Sequence, residues 1–124
     1  MAVQEDLGEV QIDHKVVGTI ASFEAAKVEG IVTRGGKRTI PEMLGIKDAD
    51  RGVTVEIEGT HAVITIEVNI EYGVNIYEAS HKLQVQVKNA VEQMTGLIVE
   101  KVNVRVNGLA VVDPTRRERE KERD

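Results

Sequence analysis

The chain has 124 residues, a formal net charge of -5 and no cysteine, with 41% hydrophobic and 30% charged residues. That is one domain with a globular balance. It excludes disulfides, thiolate catalysis and zinc-thiolate sites, and its acidic average surface opposes general binding to nucleic-acid phosphates. The aromatic residues are Phe23, Tyr72 and Tyr77. The core must therefore be built from valine and isoleucine, whose branched side chains favour strands, and a base-stacking platform lacks its rings.

Residues 1–8 are expected to form a loose arm, too acidic at Met1 to Leu7 for a signal peptide. No run approaches the roughly 18 apolar residues of a membrane span. Residues 9–112 read as the folded domain. Glu9 to Ile12 predicts a short strand, and Asp13 is placed to cap a helix running to about Val28. Ile12 and Val17 sit at hydrophobic-staple spacing. Val16, Ile20, Phe23 and Val28 mark the expected buried side, and Gly30 the stop. Glu24 and Lys27 fall inside this apolar arc. They are either an i, i+3 ion pair at its rim or a polar contact with a partner chain.

Ile31 to Thr33 predicts a brief strand, and Arg34 to Gly52 is rich in breakers. Within it Arg34, Lys37 and Arg38 flank two glycines, a combination that can hold a phosphate through charge and backbone amides. The spacing is not that of a P-loop, and a solvated loop is the competing reading. Ile40, Met43, Leu44 and Ile46 imply that the second half of this segment folds back on the body.

Alternation of Val53, Val55 and Ile57 with Thr54, Glu56 and Glu58 predicts a strand, with a hairpin turn at Gly59 and Thr60. The return strand sets Ala62, Ile64, Ile66, Val68, Ile70 and Tyr72 on one face, opposite an acidic wet face. After Gly73, Asn75 and Glu78 form a capping-box-like pair. Ile76, Ala79, Leu83, Val87, Ala90 and Met94 then follow a helical period to the stop at Gly96. Val102, Val104 and Val106 define a last inward-facing strand, and Leu109 to Val112 a further short edge strand. Residues 113–124 are a charged tail with five acidic and five basic side chains, so the body carries the whole net charge. These elements predict an α+β fold in two layers, two helices on one face of a mainly antiparallel sheet, with a split β-α-β character.

No arrangement for catalysis is present. His14, His61 and His81 lie on different elements without metal-ligand spacing. Ser22 and Ser80 lack a nucleophile elbow, and no nucleotide fingerprint follows a strand. The reading is a non-enzymatic protein without cofactor or metal. The back of the second helix is more informative: Tyr77, His81 and Val85 form an i, i+4, i+8 stripe, continued by Lys88 and Glu92. Such a stripe on a wet face marks a candidate interaction surface; the competing reading is scattered exposed apolar residues.

The segments GEVQIDHKVVGTIA (Gly8 to Ala21), KVEGIV (Lys27 to Val32) and EYGVNIYEASHKLQVQVKNAVEQMTGLIVEKVNVRVNGL (Glu71 to Leu109) resemble the alkaline shock, or envelope stress response, protein family of bacteria. Tyr72 and Gly73, Met94 to Gly96, and Val102 to Val104 match its most specific positions. Glu24 and Lys27 depart from it, standing where the family has a small and an acidic residue. The resemblance implies a non-enzymatic, self-associating protein of the cytoplasm, in some members held at the membrane by an integral-membrane partner, with no cofactor or catalytic residue to carry over. The alternative function is nucleic-acid or phosphate binding through Arg34 to Arg38, against which the net charge counts.

Overall fold

The computed structural model describes residues 7–33 and 52–111. They form α1 (His14–Lys27), β1 (Ile31–Thr33), β2 (Val53–Glu58), β3 (His61–Glu71), α2 (Ile76–Thr95) and β4 (Ile98–Ala110). The basic cluster Arg34 to Arg38, the return segment at Ile40 to Ile46 and the charged tail lie outside the described residues. Residues 9–12 form no strand; the chain runs straight into the Asp13 cap, whose carboxylate accepts from the Lys15 amide at 2.8 Å.

The fold is α+β, two helices on a sheet of both pairing senses. β3 is its centre. On one side it pairs antiparallel with β2, from Glu58↔His61 to Val53↔Ile66, and with β1, from Thr33↔Val68 to Ile31↔Ile70. On the other it pairs with β4, and this pairing is parallel. β3, α2 and β4 are therefore a β-α-β unit with adjacent strands, not a split one. Two register shifts punctuate the β3–β4 ladder, leaving Glu100 and Asn107 as extra residues. The second explains why Leu109 stands opposite Ile70 in the same continuous strand; it is not the start of a further strand. A bulge advances the inward phase by one residue.

The core lies between the helices and one face of the sheet. Ala62, Ile64, Ile66, Val68 and Ile70 of β3 are buried, as are Ala79, Leu83, Val87 and Val91 of α2. Tyr72, expected on the inward face, follows the strand and is exposed. α1 buries Val17, Ile20, Ala21 and Ala25, and Val28 follows it into the core, so Ile20 and Val28 of the expected face are buried and the face is shifted toward Val17. Val16 is exposed and Phe23 only half-buried. Val17, Ala21 and Ala25 are fully buried in the core that α1 shares with the sheet and α2. α1 runs antiparallel to α2, because Gly30 meets Val74 while Glu24 meets Gln86.

Helix ends follow the sequence closely. Asn75 accepts from the Glu78 amide at 2.9 Å, and Gly96 ends α2 at φ +78°. α2 is also tied to the sheet by a polar row. Glu92 accepts from the Val99 amide at 2.9 Å, Lys88 donates to the Val99 carbonyl at 2.8 Å and to Glu92 at 3.0 Å, and Gln84 donates to the Val102 carbonyl at 3.0 Å. The Val99 amide, and after it Lys88, hold the Glu92 carboxyl below its ordinary pKa.

Gly30 has φ +89°, and a Cβ there would stand 2.9 Å from Val74 Cγ1. Gly30→Ala is expected to cost about 1–2 kcal/mol from the left-handed backbone alone, plus the clash. In urea unfolding, Gly30→Ala with Val74→Ala should cost less than the sum of the two single changes. For Glu92 the folded pKa is depressed, so its stabilisation is present above the ordinary glutamate range and lost as pH falls through the lowered value. Glu92→Gln should therefore lower Tm at neutral pH, with the gap to wild type closing as pH falls into the acid range; thermal melts across pH read this directly.

Candidate docking site

The outer surface of the helical layer carries the stripe expected from sequence. Tyr77 is 77% and Val85 45% exposed, and His81 is exposed between them. The Tyr77 and His81 rings stack with centroids 6.3 Å apart and planes within 5°. Lys88 and Glu92 do not continue this stripe; they turn to the backbone of β4. A step of one residue, about 100° around the helix, thus divides α2 between a row committed to the sheet and a row facing outward.

Beside the outward row lies a groove of about 750 Å³ between α1 and α2. Lys27 and Val28 form one wall, and Lys82, Val85, Asn89 and Met94 the other. Met94, expected inward by period, is 71% exposed, because burial along α2 ends at Val91. Glu24 occupies the floor, accepting from Gln86 of α2 at 3.0 Å and from Lys27 at 3.1 Å. The pair inside the apolar arc of α1 is therefore a rim ion pair that also bridges the helices. Sequence reading located Val85 but missed the groove. Its signal was the polar Glu24 inside the otherwise apolar arc of α1.

The remaining polar groups do not converge. His61 pairs with Glu100 at 2.8 Å at the hairpin end of the open sheet face, while His14 begins α1. Among the described residues no group of three histidines or carboxylates is placed to hold a metal, and no polar or charged residue is buried. The open face is wet: Asn107 donates to Glu67 at 3.1 Å, and Asn103 contacts Thr65 at 3.4 Å. Arg34, Lys37 and Arg38 lie outside the described residues.

The groove and stripe sit on segments that also carry family likeness. A family model described as alkaline shock protein 23, of cell envelope-related function, matches residues 2–111. The chain is similar to the uncharacterized protein YloU of Bacillus subtilis, 34% identical over 111 residues, covering 86% of this chain and 92% of that one. It is also similar to the uncharacterized protein YqhY of the same organism, 27% identical over 105 residues, covering 83% and 78% of the two chains. Among the described residues no helix is long and apolar enough to cross a membrane. The chain belongs to the alkaline shock protein 23 family, a family of cell envelope-related function.

Proposed function

We propose that this protein is a non-enzymatic scaffold of the envelope stress response, acting in the cytoplasm by self-association and by docking a partner. The observation that carries the docking role is the groove between α1 and α2, with Val85 and Met94 exposed along one wall and Lys27 on the other. A long, open valley between two antiparallel helices suits the apolar face of a third helix, read through anchors at i, i+3, i+4 and i+7. The partner we assign to it is an amphipathic helix of an integral-membrane protein, apolar toward Val85 and Met94 and acidic toward Lys82. A carboxylate there meets a cation that makes no ion pair with the described residues around the groove. Membrane association then comes through this partner.

Val85→Glu and Met94→Glu change exposed side chains, so each should alter stability by less than about 0.5 kcal/mol. Pull-downs from membrane and soluble fractions should retain an envelope protein with the wild-type chain and lose it with either variant. Recovery of no envelope protein, or retention unaffected by both variants, would remove the groove from this role.

A further inference from the structure

We propose that the outer edge of β4 from Asn103 to Leu109 pairs antiparallel with the same edge of a second copy, joining two sheets into one. This rests on the self-association reading and names its surface. β4 pairs with β3 alone among the described strands, so the outer edge of this 13-residue strand has no strand partner among them. Such an edge is a template for another strand unless something closes it.

The first part of the edge is closed. Both backbone groups of Val99, and the carbonyl of Val102, are taken by Glu92, Lys88 and Gln84, at i+8, i+4 and i along α2. Continued toward the start of α2, the same row reaches Ser80 and Ile76. Serine is too short to span to the strand, and its buried Oγ has no hydrogen-bond partner among the described residues; isoleucine has no polar atom. Past Val102, no side chain of the described residues is recorded bonding to the β4 backbone. Of the usual guards, NVRVNGL has one arginine and the bulge at Asn107, and no proline or lysine.

This stretch is complementary to itself. Antiparallel pairing about Val106 sets Arg105 of each copy against Asn107 of the other. Asn107 already donates to Glu67, so each guanidinium comes beside a carboxylate of the opposite copy. An axis at Arg105 would instead set the two guanidinium groups together, which directly opposed like charges disfavour. Leu109, 51% exposed, and the neighbouring exposed Val111 lie at the end of this stretch, adding apolar area beside the shared edge. The bulge at Asn107 increases local twist, which limits the ladder to a few residues and makes the dimer dependent on concentration.

Sedimentation equilibrium of the full chain across a concentration series tests this. Alternation from Val102 points the Val106 amide outward, so Val106→Pro removes a donor from the free edge and leaves the β3 ladder intact. Arg105 stands opposite Glu67 of its own chain. Arg105→Glu therefore puts a carboxylate beside Glu67 of both copies, so its stability is measured on the monomer and its effect on dimerisation is read beside Arg105→Gln, which removes the cation without adding a like charge. With circular dichroism showing retained fold, Val106→Pro and Arg105→Glu should each weaken dimerisation at least tenfold; if Val106→Pro fails to fold, the two Arg105 variants decide. Dimerisation unchanged in the folded variants overturns the β4 assignment and leaves self-association to another surface. A wild-type chain monomeric at every concentration overturns the assignment and the self-association reading together.

Discussion

The two-sided demand on β3 governs this molecule. One face of the strand supplies five consecutive inward side chains, Ala62, Ile64, Ile66, Val68 and Ile70, all buried, while both of its edges carry ladders. A slip of one residue would turn that whole set toward water, so the register of every neighbour is fixed by one hydrophobic row. β2 obtains its register through a two-residue turn at Gly59 and Thr60, β1 through three residues beyond it, and β4 through a crossover helix. Parallel neighbours need such a crossover. α2 is thus required by topology before it is required by packing.

Once required, α2 serves three purposes with three arcs. Ala79, Leu83, Val87 and Val91 fill the core. Gln84, Lys88 and Glu92 close the start of the β4 edge. Tyr77, His81 and Val85 are what remains, and they face outward beside the groove. The first two arcs fix the helix both over the sheet and against its edge, so the third is presented on a rigid support. A docking surface held this way loses little conformational freedom on binding, the usual benefit of preorganisation.

Legibility in the sequence followed how local each determinant is. The β2–β3 hairpin, α2 and the Asp13, Asn75 and Gly96 caps depend on neighbours within a few residues, and their pattern declares them. The parallel pairing of β4 depends on residues nearly 40 positions away and leaves no local mark. Its valine pattern loses phase at Glu100 and Asn107, so one strand resembles two short ones. On α1 the large residues Ile20 and Val28 declare part of the buried face, while Ala21 and Ala25, which complete it, carry too little apolar area to stand out in a helical period. Lys88 and Glu92 looked like surface residues since their partner is a backbone, which has no sequence signature. Of the candidate site, Val85 was legible and Met94 was not; the period was right, but the core beneath it ends one turn earlier.

Glu24 shows how a carboxylate inside an apolar helix arc can be accommodated. It would be costly if it were covered without partners, because buried polar groups need their hydrogen bonds. Here it keeps two, from Gln86 across the groove and Lys27 on its own helix. A docked helix covering the floor would find that carboxylate already satisfied, so little of its binding energy would be spent on desolvating an unpaired charge. The same pair sets a condition on the occupant. An acidic residue placed over Glu24 would face a like charge in a partly dry groove, while an apolar one would rest on the methylene stems of Lys27 and Gln86. In the proposed docking role the polar floor would leave attraction to Val85 and Met94 and supply discrimination, as a site distinguishes partners by what it repels as well as by what it binds.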